Sequence, residues 1–398
     1  MQVAARSDQE IAALLLKLQR DHRGVYGALA VSPLTLVQQR ASLPKDVVVV
    51  DYFAAADALY AFVVRRDDPA PRAFKIDVPR DRLTRTIARH RQLLGQDGRL
   101  ADASARDLYT WLLAPLDGLV PAAQREAATV VVIAEGPLQY VPFAALVASP
   151  EGAPVVYAVE RWRLATALST TVFGLFEPAL ARPATQSVLA FLDPTGELAG
   201  ARNELDGVAD VTALRGAEAT SQAFMAEAQR FPILHFATHG SIDQADPLAS
   251  GLRMAGGMLS IDAITGFTGL RGHTRLVVLS ACQTATEVGD VADAPEDEAI
   301  SMARGFAIAG VPSVVASLWD VDDQATRALM RAFYAELASP KRDILGALRA
   351  AQIRLLRGAA GSAPAPVAIG GAAPATETER PLGDPRFWSG FQLIGDWR

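Results

Sequence analysis

The amino-acid sequence predicts an α/β fold with a mostly parallel sheet and helices on both of its faces. From residue 187 onward, short apolar runs alternate with helical stretches, as they do where helices connect parallel strands. Two of these runs, ILHFATHG and RLVVLSAC, end in reactive side chains, His239 and Cys282. Ligands of open parallel sheets bind at the carboxyl ends of the strands. The sequence therefore predicts one functional site at that edge of the sheet.

Composition narrows the class of protein. The chain has 398 residues, half of them apolar, which is enough for two domains of ordinary size. Its net charge of −6 does not predict a nucleic-acid-binding surface. There is no apolar run of membrane-spanning length, no secretory signal at the start, and a single cysteine, which excludes an internal disulfide framework. We expect a cytoplasmic protein that binds neither nucleic acid nor membrane.

The first half of the chain has a less regular pattern. An N-terminal helical segment is predicted over 1–44, with Ser7 and Glu10 as a capping-box pair. A first half over 45–180 follows, and a stretch containing Pro and Ala near 178–185 predicts a domain boundary. Strands are expected at 47–53, 59–64, 129–136 and 154–158, and helices at 80–97, 104–118 and 169–176.

The second half, residues 181–398, carries the regular alternation. Strands are expected at 187–192, 233–238, 275–281, 313–319 and 388–394. Helices are expected near 203–213, 220–229, 299–309, 321–338 and 342–357. Residues 358–384 are dense in Gly, Ala and Pro and predict a flexible loop before the last strand.

Cys282 is a candidate nucleophile. A free thiol has a pKa near ~8.5, so little of it is thiolate at neutral pH unless a neighbour such as an imidazole assists. The alternative is a small buried apolar residue, a common environment for cysteine. Spacing alone leaves both interpretations open.

His239 is the candidate base, although a histidine at a strand end can also simply bind a backbone carbonyl. Gly240 favours catalysis, because a glycine lets its backbone N–H approach a substrate closely. Together with the N–H of Cys282 it would form an oxyanion hole. His235, four residues earlier, would pair with His239 as a metal ligand only on a helix, whereas this segment predicts a strand. We therefore interpret His235 as structural and expect no metal or cofactor.

Further sequence blocks follow in a fixed order. They are LVVLSACQTA, AISMARGFAIAGVPSVVASLWDVDDQATRALMRAFYAEL, ALRAAQIRLL and FWSGFQLIGDW, with VVVIAEGPLQYVPFAAL and YAVERWRLATALST upstream. With ILHFATHG, they make residues 45–397 resemble the CHAT family of caspase-like, separase-related cysteine peptidases. The resemblance implies a caspase-like sheet in the second half and a degenerate pseudo-caspase half before it. It also implies a catalytic dyad of His239 and Cys282, with an oxyanion hole formed by Gly240 and Cys282.

The same resemblance implies a substrate pocket beside the nucleophile. In separase-like relatives a segment similar to SLWDVDD forms the wall of the pocket for a basic P1 side chain. Asp320 would form the base of this S1 pocket and Trp319 a wall, with Asp322 and Asp323 as weaker candidates. The alternative is that Asp320 is the N-cap of the next helix, with Asp322 and Asp323 in its first turn.

The loop at 285–299 carries six acidic residues directly after the candidate nucleophile. Such a run is commonly a solvated loop. In caspase-like peptidases, the loop after the nucleophile is often where activation acts. Nothing in its length or acidity decides between the two.

The sequence is compatible with three kinds of function. The first is a cysteine endopeptidase that forms a thioester with a protein substrate and is latent until a partner activates it. The second is a non-catalytic caspase-like scaffold or signalling module. The third is a redox sensor, for which the sequence offers no resolving cysteine. Many relatives carry tetratricopeptide repeats before this region, which suggests a larger parent protein or a separate sensor. By the same analogy with bacterial relatives, we expect a role in defence or regulated cell death.

Overall fold

A single large sheet organises the chain. The computed structural model describes residues 34–125, 127–175, 186–241, 243, 246, 248–280, 301–319, 322–340, 342–358 and 382–398. Within these ranges, eleven strands form one sheet and three form a small second sheet. The predicted α/β class is therefore confirmed.

The strands alternate with helices along most of the chain. The strands are β1 Val47–Ala54, β2 Leu59–Arg65, β3 Arg72–Ile76, β4 Thr129–Ile133, β5 Arg163–Ala167, β6 Val188–Leu192, β7 Val211–Arg215, β8 Ile233–Ala237, β9 Gly240–Ser241, β10 Gly251–Met254, β11 Gly257–Ser260, β12 Leu276–Leu279, β13 Ser313–Ser317 and β14 Phe391–Gly395. The α-helices are α1 Leu36–Ser42, α2 Arg80–Gln96, α3 Asp102–Leu112, α4 Ala158–Arg161, α5 Thr170–Leu175, α6 Ala199–Arg202, α7 Ser221–Glu227, α8 Ile261–Gly266, α9 Ser301–Ile308, α10 Asp323–Leu337, α11 Ile344–Leu356 and α12 Pro385–Trp388.

The strand order of the large sheet is β3-β2-β1-β4-β5-β14-β13-β12-β8-β6-β7. Strands β13, β12, β8, β6 and β7 are mutually parallel, and so are β1, β4 and β5. The last strand, β14, pairs antiparallel with β13 and parallel with β5. The two parallel sets therefore run in opposite directions within one continuous sheet.

Both faces of the central strands are buried, which explains their uninterrupted apolar sequences. On β12, Leu276 and Val278 lie in the same hydrophobic cluster as Phe333 of α10. Val277 and Leu279 point to the other face and lie in a cluster with Phe306 of α9 and Phe224 of α7. Helices thus cover both faces, as the strand–helix alternation predicted.

The upstream strands share this sheet with the downstream ones. Strands β1 and β2, both predicted, pair as an antiparallel hairpin, and one face of it packs against α2 and α3 through Leu83 and Leu108. Because β5 pairs with β14, the sheet continues across the predicted boundary near 180. The division into 1–44, 45–180 and 181–398 stays a prediction. In the described ranges, no helix is both long and apolar enough to span a bilayer.

Two predicted elements were wrong. The helix expected over 203–213 is absent, since the short helix α6 ends at Arg202 and the strand β7 begins at Val211. Between them, Gly207 and Asp210 have φ values of 84° and 57°, left-handed conformations that a helix cannot continue through. The strand expected at 154–158 is also absent. There, the Glu160 carboxylate accepts a hydrogen bond from the Tyr157 N–H at 3.0 Å and a helical turn begins, so the strand follows at β5.

Asp51 on β1 gives stability a pH dependence. Burial, with the negative charge of Glu135 adding, raises the pKa of Asp51 to about 6. Because the folded pKa exceeds the unfolded one, the stability it contributes is present below about pH 4 and is lost as pH rises through 6. Asp51→Asn is therefore expected to raise the free energy of unfolding at pH 7.5, a gain that fades between pH 6 and 4. Urea unfolding at several pH values would measure it. Asp57→Asn, in the exposed turn after β1, should show no gain confined to that pH range.

Candidate functional site

The backbone around His239 is held from the side by β10. The Thr238 hydroxyl donates to the carbonyl of Arg253 at 2.5 Å, and the Arg253 N–H donates to the carbonyl of His239 at 2.9 Å. Gly240 follows at the start of β9, paired with Leu252. The candidate base thus lies two residues beyond the buried strand β8, at its carboxyl end, on a fixed backbone.

The imidazole of His239 lies beside a carboxylate. Its Nε2 is 3.4 Å from Oε2 of Glu197, and the same oxygen accepts a hydrogen bond from Nη1 of Arg253 at 3.4 Å. His239 is 19% exposed and Glu197 is 56% exposed, so this contact lies at the surface. With Nε2 beside the carboxylate, Nδ1 is the nitrogen that remains to act on a thiol.

The strand before the candidate nucleophile lies directly beside the strand of the base. β12 pairs in parallel with β8, with Val278 opposite His235, and the Ser280 N–H donates to the carbonyl of Phe236 at 2.8 Å. Ser280 is the last described residue before Cys282. Cys282 itself, the acidic loop at 285–299 and Asp320 lie outside the described residues.

A second glutamate lies beneath this edge. Oε1 of Glu204 is 3.2 Å from Nε2 of His235, without the alignment of a well-formed hydrogen bond. Its Oε2 accepts a hydrogen bond from the Ser280 hydroxyl at 3.0 Å. The other ring nitrogen of His235, Nδ1, lies 3.0 Å from the hydroxyl of Tyr334 on α10. His235 is fully buried and the other three are at most 7% exposed.

Electrostatics determines which of these groups can donate a proton. Burial raises the pKa of Tyr334 well above its ordinary value, and the negative charge of Glu204 raises it further. Tyr334 therefore keeps its proton and can donate it to His235. In the described part of the chain, no three His, Cys, Asp or Glu side chains group as metal ligands would.

Sequence reasoning missed both glutamates. They lie in the segment between β6 and β7, which carries no motif and in which the helix was expected at the wrong residues. One signal was available. Because β6 neighbours β8 in a parallel sheet, acidic residues just beyond the carboxyl end of β6 lie at the same edge as His239.

The residues proposed for the substrate pocket fall into two groups. Trp319 is half-buried, and its Nε1 donates to the carbonyl of Arg386 at 3.3 Å. Asp322 is the N-cap of α10, since its carboxylate accepts hydrogen bonds from the N–H groups of Gln324 and Ala325 at 3.0 and 3.1 Å. The alternative that Asp320 caps this helix is therefore wrong.

Asp323 follows in the first turn of α10 and lies against α6. A Cβ at Gly200 would come within 2.0 Å of its Oδ2, so the close approach requires glycine at that position. Local structure thus accounts for both Asp322 and Asp323.

A family model described as the CHAT domain matches residues 102–396, well over half of the chain. The chain belongs to the CHAT domain family. The mouse tetratricopeptide repeat protein 28 is 24% identical over an alignment of 357 residues, and the match covers 74% of this chain and 13% of that protein. This CHAT chain therefore spans only a small part of its mouse relative.

Solved structures confirm the fold of this CHAT chain. Two crystal structures of the Saccharomyces cerevisiae separase–securin complex superpose with TM-scores of 0.55 and 0.54. The superposed regions cover 79% and 90% of this chain but only 29% and 31% of the separase chains, and the sequence identities are 7% and 8%. Identity this low shows the fold alone, which is the separase-like, caspase-like α/β class predicted for the CHAT domain. The degenerate pseudo-caspase half remains a prediction.

Proposed function

We propose that the chain is a cysteine endopeptidase with a dyad of Cys282 and His239. The observation that carries the proposal is the position of His239 at the carboxyl end of β8, next to the strand that leads into Cys282. Neighbouring parallel strands bring a base and a nucleophile to one edge of the sheet. Membership of the CHAT family and the separase-like fold support the same reaction class.

The proposed reaction proceeds through a thioester. Nδ1 of His239 takes the thiol proton, and the sulfur of Cys282 attacks the carbonyl carbon of the peptide bond. The backbone N–H groups of Gly240 and Cys282 stabilise the oxyanion that forms. The imidazolium then gives its proton to the leaving amine, and water, deprotonated by the same imidazole, hydrolyses the thioester. Glu197 orients the ring and stabilises the imidazolium through Nε2.

Asp320 is the proposed base of an S1 pocket for arginine or lysine, with Trp319 as one wall. A carboxylate in a partly closed pocket would favour a basic side chain through a charge-assisted hydrogen bond. Asp322 and Asp323 are left out of this proposed pocket, because the first caps α10 and the second lies against Gly200.

Protein partners form the regulatory part of the proposal. The yeast separase structures are complexes with securin, and the mouse relative is named for tetratricopeptide repeats. We propose that this chain, too, cleaves a protein substrate and is latent until a protein partner, or a repeat domain in a longer parent, acts on the loop at 285–299.

The test is digestion of a proteome-derived peptide library by the wild-type chain and by Cys282→Ala. Cuts are expected in the wild-type digest alone, concentrated after Arg or Lys. Cuts after other residues would keep the dyad and remove the Asp320 assignment. If the variant cut the same peptides, the peptidase assignment would be wrong. A wild-type chain that cuts nothing, even with a candidate activator, would favour the non-catalytic scaffold.

A further inference from the structure

Four buried polar side chains link the strand of the base to the strand of the nucleophile. Tyr334 on α10 contacts His235 on β8, His235 contacts Glu204, and Glu204 contacts Ser280 directly after β12. His235 lies four residues before His239, and Ser280 lies two residues before Cys282. Of these four side chains, Glu204 contacts both His235 on β8 and Ser280 after β12, one with each carboxylate oxygen.

Because Glu204 is buried, its carboxylate depends on nearby hydrogen-bond donors. A carboxylate as enclosed as Glu204, 3% exposed, is unfavourable unless donors surround it. The Ser280 hydroxyl donates to Oε2. Since the neutral Tyr334 can donate to Nδ1 of His235, the ring tautomer that fits carries its proton on Nε2, the nitrogen on the side of Glu204. Nε2 lies 3.2 Å from Oε1 without hydrogen-bond alignment, so the bond from the Ser280 hydroxyl is the aligned one of the two contacts to this carboxylate.

The pairing of β8 with β12 ends at Phe236 and Leu279. One backbone hydrogen bond follows it, from the Ser280 N–H to the carbonyl of Phe236, and the base and the nucleophile come later in the sequence. The hydrogen bond from the Ser280 hydroxyl to Glu204 adds a second, side-chain link at this residue. It is the described side-chain contact nearest in sequence to Cys282.

We propose that Glu204 is a positioning residue that holds the end of the nucleophile strand against the base strand, so that Cys282 meets His239. This inference rests on the proposed peptidase function, because it assigns Glu204 a part in placing the same dyad. Glu204 would touch neither substrate nor the reacting atoms.

The sign of one measurable shift separates positioning from simple charge. An imidazole close to a thiol stabilises the thiolate and lowers the thiol pKa, so loss of alignment raises that pKa. A nearby carboxylate acting through its charge alone has the opposite effect, and its removal would lower the thiol pKa. Ser280→Ala removes the hydrogen bond without changing any charge.

The experiment uses the single cysteine of the whole chain. Iodoacetamide alkylation is followed by intact mass from pH 5.5 to 9 in the wild type, Glu204→Leu, Ser280→Ala and His239→Ala. Asp396→Asn is the matched control, since Asp396 is also 3% exposed but contacts Arg398, next to the amino end of β13. Urea unfolding of each variant identifies any that do not fold.

Glu204→Leu, which has no acceptor for the Ser280 hydroxyl, and Ser280→Ala are both expected to raise the pH midpoint of alkylation by about one unit. Alkylation at pH 6 should slow about threefold, because less thiolate is present although each thiolate is more nucleophilic. The midpoint of Asp396→Asn should match the wild type.

Other outcomes distinguish failure of this inference from failure of the proposed function. If His239→Ala raises the midpoint but Glu204→Leu and Ser280→Ala do not, the positioning role is wrong and the dyad stands. A lower midpoint in Glu204→Leu has the same meaning. If the wild-type thiol titrates like free cysteine and His239→Ala leaves the midpoint unchanged, the dyad is wrong, and the proposed role of Glu204 is wrong with it.

Discussion

Replacing His239 with alanine is expected to lower kcat on a peptide identified in the library digest by about 10²–10⁴-fold. The physical reason is the loss of both proton transfers, from the thiol and to the leaving amine. KM should change little, because the imidazole acts on reacting atoms and not on the side chains that the enzyme selects. Steady-state kinetics on that peptide would give both constants.

His273→Ala is the matched control for this change. His273 is exposed and lies in the turn before β12, at the amino end of the strand and therefore at the edge opposite the site. Its replacement should leave kcat within about twofold, as an exposed side chain remote from the chemistry predicts. A His239→Ala variant that retained wild-type kcat would remove the general base from the mechanism.

Replacing Trp388 with alanine is expected to lower the free energy of unfolding by about 3–5 kcal/mol, the usual effect of truncating a fully buried aromatic side chain. Its side chain is 0% exposed, and its ring packs edge-on against Tyr157 at a centroid distance of 5.3 Å. Its Nε1 donates to the carbonyl of Gly383 at 3.1 Å. The change therefore leaves a cavity and removes the hydrogen bond to the half-buried Gly383.

Urea unfolding would measure this loss, with Phe53→Ala as the comparison. Phe53 is also aromatic but 57% exposed, so its truncation should cost well under half as much. Trp388 joins α12 to the cluster under β14, which connects the two parallel sets of strands. A loss below 1 kcal/mol in Trp388→Ala would show that this junction tolerates a cavity.

The regular elements could be predicted from local sequence where the apolar pattern was clear. Strands β8, β12 and β13 lie within one or two residues of their predicted bounds, because burial on both faces makes their sequences continuously apolar. The helix expected over 203–213 failed for a local reason. Its apolar spacing was compatible with a helix, but Gly207 and Asp210 adopt left-handed conformations that spacing does not reveal.

The pairing of strands followed a different logic. The predicted last strand exists as β14, yet its antiparallel pairing with β13 and its parallel pairing with β5 depend on how two distant parts of the chain meet. No pattern within β14 itself encodes which neighbours it will have. The continuous sheet is therefore a result of tertiary packing.

The α/β class, the CHAT resemblance and the position of His239 at the end of a buried strand could all be predicted from local sequence. They depend on apolar patterns and on residues that stand close together in one segment. The contacts of Glu197 with His239, and of Glu204 with His235 and Ser280, arise only when the chain is folded. Both carboxylates reach these partners because the segment between β6 and β7 folds over the strand ends. Contacts between residues distant in sequence leave no periodic signal in the chain.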